Sequence, residues 1–351
     1  MTTRSSAFAN MPAMPALAGL AGLLLAFAVP ATAVADPENW QRAGFRTDFS
    51  RASVSFDEIV AGGPPKDGIP SIDNPVFVPV GEADRFADRE PVIEIPLPGL
   101  EGRAYPLSVL MWHEIVNDTV DGRPLAVTYC PLCNSAVVFE RVIAGETVTF
   151  GTTGLLRNSD LIMYDRASET WWQQFTGEAI VGAHTGSRLE MVPSRTVSFA
   201  DFRNRHPDGE VLVPNDWSMR HYGRNPYAGY DGRAGPYPLY RGDLPVELEP
   251  MARVVVVRRD GDVTAAVTLS YLRQAGRVEI GDMAFGWEEG VASALDAGDV
   301  ARGRDVGAIT VTDAATGAPL VHDITFAFVV KAFHPDERIL TEDGWISLSA
   351  R

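Results

Sequence analysis

Both cysteines of the chain stand in one short stretch, Cys130-Pro131-Leu132-Cys133, between apolar runs from Leu125 to Tyr129 and from Ala136 to Phe139. A bridge between cysteines this close constrains little of the unfolded chain, so stapling is a weak reason for the pair. Two chemistries suit it better. Two thiols in one tight turn can cycle between dithiol and disulfide, one attacking and the other resolving. The same turn can supply half of a tetrahedral site for a soft metal, zinc or copper(I). A binding scaffold with an inert disulfide is the third reading. The residue after Cys133 is Asn134, not His, which excludes c-type haem attachment. No phosphate loop, HExxH motif or dinucleotide fingerprint is present, so no nucleotide cofactor is expected.

A metal site needs ligands beyond the two sulfurs. His184, in the loop Gly182-Ala183-His184-Thr185-Gly186, is the leading candidate, with His113, Met163 or a carboxylate behind it. A polar stretch from Gly151 to Asp160 reads as a loop; its Arg157, Asn158, Ser159 and Asp160, with Tyr164 and Trp172, are expected to shape a pocket beside the cysteines. Trp171 and Trp172 should face opposite sides of a strand, one in the core and one lining a cleft. An acidic environment would raise the thiol pKa, and Arg157, Arg141 or a histidine could offset it. His206 and His334 each precede a Pro-Asp turn and read as structural.

The elements that must position these residues are β-rich. Strands are expected at 76–80, 92–97, 125–129, 136–142, 147–151, 161–164, 188–197, 254–257 and 263–269. A helix is expected over Val109 to Val116 with Ser108 as its N-cap and His113 partly exposed, and another over Phe199 to Arg205. Gly145-Glu146 fits a hairpin turn. A strand-like run after Cys133 denies the pair the helix N-terminus of a thioredoxin site, so a thioredoxin fold is rejected. Tyr105-Pro106-Leu107-Ser108-Val109-Leu110 resembles Val267-Thr268-Leu269-Ser270-Tyr271-Leu272, and His206-Pro207-Asp208 resembles His334-Pro335-Asp336, in the same order. The expected organisation is an N-terminal lead-in over 36–73, a first half over 74–213 carrying the cysteines, a Gly/Pro/Tyr-rich connection over 214–252, and a related second half over 253–351 without cysteines. The fold class is α+β, β-rich, with the cysteine turn facing a cleft.

Residues 1–35 read as a Sec-type signal peptide: Arg4 is the lone charge, an apolar run spans Leu17 to Val29, and Ala33-Val34-Ala35 has the form of a cleavage site. A periplasmic or extracellular location, without stable membrane insertion after cleavage, is the expectation. With 30 basic and 46 acidic side chains the net charge is −16, which disfavours nucleic acid as a partner. A redox partner or a metal donor is the partner class the cysteines suggest.

The CPLC block, Leu155-Leu156-Arg157-Asn158-Ser159-Asp160, Met163-Tyr164-Asp165-Arg166, Trp172 with Thr176-Gly177-Glu178-Ala179, and Phe333-His334-Pro335-Asp336 resemble the domain-of-unknown-function family 3179, from about Asn74 to the C-terminus. Some members of that family carry selenocysteine at this motif. The resemblance therefore implies redox or soft-metal chemistry at Cys130 and Cys133.

Overall fold

A computed structural model describes residues 36–349 except 97, 98, 100, 101 and 260; the expected signal peptide lies outside the described residues. The chain is organised as one pattern used twice. In its first use, strands Pro91–Glu94 and Arg103–Pro106 form an antiparallel hairpin and helix Leu107–His113 follows at once. A three-stranded antiparallel meander comes next, Ile115–Val120, Arg123–Cys130 and Ser135–Glu140. Strand Arg195–Ser198 then returns to the hairpin, helix Phe199–Arg205 follows, and strand Glu210–Val213 runs parallel to Arg103–Pro106.

The second use repeats these steps: hairpin Arg253–Arg259 and Asp262–Thr268, helix Leu269–Ala275, meander Arg277–Ile280, Met283–Glu288 and Ala308–Asp313, strand His322–Phe326, helix Ala327–Phe333, and strand Arg338–Thr341 parallel to Asp262–Thr268. The sequence echo falls on the same junction each time, since Leu107 and Leu269 each open a helix directly after a strand. His206 and His334 both stand at a helix C-cap, with φ of −127° and −135°. The β-branched run Val254 to Val257 is completely buried, as a strand packed on both faces requires.

One large difference separates the two copies. The second passes from Ala308–Asp313 to His322–Phe326 by a short connection, whereas the first inserts a further sheet. Its strand order is Ile59–Ala61, Phe150–Arg157, Asp160–Asp165, Trp171–Gln173, Ala179–Val181. Side chains alternate across it. Leu161, Met163 and Trp172 enter the main core, while Ile162, Tyr164 and Trp171 face a second cluster with Trp40, Phe45, Phe49 and Phe56. Residues read as a lead-in thus cover the outer face of this sheet. Trp171 and Trp172 do point to opposite faces, but both are buried and neither lines an open cleft.

Other expectations shift for local reasons. The helix expected over Val109 to Val116 is Leu107–His113, because Glu114 adopts φ 59° and ends it; the β-branched residues after it pair as a strand instead. Ser108 is no cap: Pro106 holds that position, and the Ser108 hydroxyl donates to buried Glu90. His113 is buried, with Nδ1 against the Pro70 carbonyl and Nε2 against the Tyr222 hydroxyl. The Gly145-Glu146 turn is centred one residue earlier, on Ala144 and Gly145 with φ 50° and 85°. Pro193 splits the strand expected over 188–197 into Met191–Val192 and Arg195–Ser198. Residues 214–252 are irregular apart from one short 3-10 turn, Tyr230–Gly232. Among the described residues no helix is long and apolar enough to cross a membrane.

Candidate functional site

The stretch 151–160, expected as a loop, is strand Phe150–Arg157 and the first residue of Asp160–Asp165, joined by a two-residue turn. Asn158 and Ser159 take φ 53° and 63°, the left-handed pair that matches the natural twist of a hairpin. The turn drives Ser159 and Asp160 into the protein, where both are buried. They meet the cysteines there.

Cys130 ends strand Arg123–Cys130 and pairs with Ser135 across the bend. The bend is tightly held by segments far away in sequence. The Asn134 side chain donates to the Ile324 carbonyl at 2.8 Å, and Asp323 accepts from the Ser135 hydroxyl at 2.6 Å and the Ala136 amide at 2.9 Å. The Thr325 hydroxyl donates to the Cys133 carbonyl at 2.9 Å, and the Tyr230 hydroxyl to the Leu132 carbonyl at 3.0 Å. The second copy and the irregular connection therefore roof the site. The sulfurs are buried rather than facing an open cleft, at 2% and 0% exposure.

Both thiols are free, and both approach the Ser159 carbonyl, at 3.8 Å from Cys130 and 3.5 Å from Cys133. Cys133 Sγ lies 3.4 Å from Asp160 Oδ1. The other oxygen, Oδ2, accepts from Gln173 Nε2 at 2.6 Å and the Phe175 amide at 2.8 Å, which fixes the carboxyl plane. The two sulfurs and one Asp160 oxygen all lie within 4.8 Å of one another. Burial pushes both thiols up, Cys133 well above the ordinary range, and the neighbouring Asp160 adds to the effect. Burial likewise raises Asp160 to about 6, against the pull of the Phe175 amide and Gln173. Arg157 and Arg141 do not offset this. Arg157 pairs with Glu58 and lines an open polar cavity with Thr176, Glu178 and His334; Arg141 binds the carbonyls of Asp118 and Val148.

Of the residues singled out from sequence, the structure brings together Cys130, Cys133, Ser159 and Asp160. Asn158 serves the turn. Tyr164 donates to Asp67 at 2.5 Å on the outer face of its sheet, and Trp172 donates to Asp165 at 3.0 Å. His184 stacks on Trp172 and is not among the converging ligand atoms; the third such group is the Asp160 carboxyl. Sequence reasoning missed Glu114, Gln173, Tyr230 and Arg258. Glu114 is buried at a positive φ, and burial followed by repulsion from Asp160 raises it to about 8. The echo contained a signal for it: Glu114 occupies the helix-ending position that Gly276, φ 71°, fills in the second copy.

The chain is thus a β-rich protein of twofold internal pattern, with a buried dithiol–carboxyl cluster held between a cysteine bend and an inserted hairpin. It belongs to the family described as Protein of unknown function (DUF3179), whose model matches residues 66–337. No curated protein matches the chain, and no solved structure does.

Proposed function

We propose that the chain is an exported soft-metal-binding protein that holds a divalent ion of the zinc class through Cys130, Cys133 and Asp160. One observation carries this reading. In a tetrahedral zinc site with ordinary bond lengths, the edge between a thiolate sulfur and a carboxylate oxygen measures roughly 3.5 Å. The Cys133 Sγ to Asp160 Oδ1 separation is 3.4 Å. The bonds from Gln173 and the Phe175 amide supply the outer contacts that orient a metal-binding carboxylate.

Charge favours a divalent ion over copper(I). When a divalent ion binds, two S–H bonds break, two protons leave to solvent and two metal–sulfur bonds form, so the buried charge does not change. Copper(I) would leave the core one charge more negative, and a carboxylate oxygen is a poor ligand for so soft an ion. Export is supported by the signal-like residues 1–35, and the net charge of −16 speaks against nucleic acid.

A second reading, thiol–disulfide exchange, has its own support: with a pKa of about 6, Asp160 can accept the Cys133 proton. Against it stand two buried thiols with raised pKa values, since the thiolate is the nucleophile. Elemental analysis of protein purified without added metal separates the two. About one zinc per chain, absent from the Cys130→Ser/Cys133→Ser variant, is expected. Wild-type protein that neither carries nor takes up zinc or cadmium, yet cycles between dithiol and disulfide with a small-thiol buffer, would replace the metal reading by the redox one.

A further inference from the structure

The cysteine bend is held from behind and from the front by unlike bonds. Behind it, the second copy grips with nitrogen and oxygen groups: Asn134 on the Ile324 carbonyl, Ser135 and the Ala136 amide on Asp323, and Thr325 and the Phe326 amide on the Cys133 carbonyl. No sulfur takes part in any of these. In front stands the inserted turn 158–160, and there the bend meets it through sulfur alone. Among the described residues, every hydrogen bond between that turn and the bend is donated by a thiol. Two thiol protons serve three contacts: the Ser159 carbonyl, 3.8 Å from Cys130 and 3.5 Å from Cys133, and Asp160 Oδ1, 3.4 Å from Cys133. Ser159 is 1% exposed, so water has little access to its carbonyl, and no other donor among the described residues reaches it.

We infer that the turn 158–160 is a redox-sensitive latch, held shut by the thiol protons and released when Cys130 and Cys133 join as a disulfide. The local geometry permits that bond. The Cys133 amide donates to the Cys130 carbonyl at 3.2 Å, a β-turn that brings the two Cα atoms within the span of a disulfide. With a small disulfide as oxidant, two S–H bonds break and one S–S bond forms between the cysteines. The oxidant's own S–S bond breaks, and its two sulfurs leave as thiols carrying the two protons. The donors are then gone while their acceptors stay buried, and a buried acceptor without a partner favours opening. Arg157 adjoins the turn and lines the open polar cavity with Thr176, Glu178 and His334, so the release reaches the surface there. The inference needs only the thiol pair and its neighbours and stands apart from the metal reading.

The test is amide hydrogen exchange, read by mass spectrometry on the metal-free full chain in four forms: reduced, oxidised with glutathione disulfide in urea and refolded, Cys130→Ala/Cys133→Ala, and Cys130→Ser/Cys133→Ser. Residues 156–161 should exchange roughly 10-fold or more faster in the disulfide form and in the alanine variant, which both lack the S–H donors. The serine variant keeps a donor at each position and should exchange like the reduced protein. The strand His322–Phe326 behind the bend should be unchanged in all four. Residues 156–161 as protected in the disulfide form as in the reduced one would overturn the inference. Equal acceleration of both segments would overturn it too, since the whole site would then have loosened, and so would a serine variant as fast as the alanine one. If the alanine variant does not fold, the disulfide form decides alone; if no disulfide forms, the alanine variant does.

Discussion

Replacing Asp160 by asparagine should make the metal-free protein more stable at neutral pH while abolishing the proposed metal site. Burial raises the Asp160 pKa from 3.8 to about 6, so the folded protein holds this proton more tightly than the unfolded chain does. The stability from that proton is fully present below pH 3.8 and is lost as pH rises through about 6. Each pH unit between the two values is worth about 1.4 kcal/mol, so ionised Asp160 costs the fold about 3 kcal/mol at neutral pH. The side-chain amide introduced by Asp160→Asn never ionises. Its carbonyl can accept from Gln173 and the Phe175 amide in place of Oδ2, leaving its nitrogen where Oδ1 stands, 3.4 Å from the Cys133 sulfur. Urea unfolding of chelator-treated protein at about pH 4 and about pH 7.5 is the assay. The variant should gain up to about 3 kcal/mol at the higher pH and close to none at the lower. A variant destabilised equally at both would show that Asp160 is a structural acceptor whose charge costs nothing, and the reasoning fails.

Three further outcomes are expected. Glu90, raised by burial from 4.5 to about 7, should make Glu90→Gln comparable to wild type near pH 5 and more stable by about 3 kcal/mol near pH 8.5 in the same unfolding assay. Ser159 sits at φ 63° with a buried hydroxyl that has no partner among the described residues, so Ser159→Gly should gain about 1 kcal/mol, read as a higher Tm. Tyr230→Phe removes the bond to the Leu132 carbonyl, costs about 1 kcal/mol, and should speed labelling of the native cysteines by a thiol reagent; unchanged labelling would mean that the bond does not hold the roof closed.

The two-copy pattern was legible because it rests on local junctions: a Leu-Ser pair opening a helix after a strand, and a His-Pro-Asp step closing another. The cysteine bend was legible from its flanking β-branched and apolar runs. The hairpin at Asn158 and Ser159 was hidden by composition. Polar residues that suggest a solvated loop are buried here because the turn dips in against the cysteine bend, and only pairing shows it. Asp160 was among the expected pocket residues, but its place as the third converging group went to His184, since sequence distance says nothing of which side chains a hairpin brings back. Arg258 lay within a strand run that reads as ordinary β-sheet. Its lack of partners is a property of tertiary packing alone.

The bend at Cys133 is pinned by Thr325 and Phe326, which lie almost two hundred positions downstream, and its neighbour Asn134 by Ile324. A chain emerging from synthesis exposes its thiols long before the strand that seals them has been made. A metal ion of the proposed kind offered early would meet an unguarded pair, whereas one offered late would meet a buried one. Shortening the protein from its C-terminal side past residue 322 should therefore leave a dithiol that exchanges metal and oxidant freely, with timing lost before capacity.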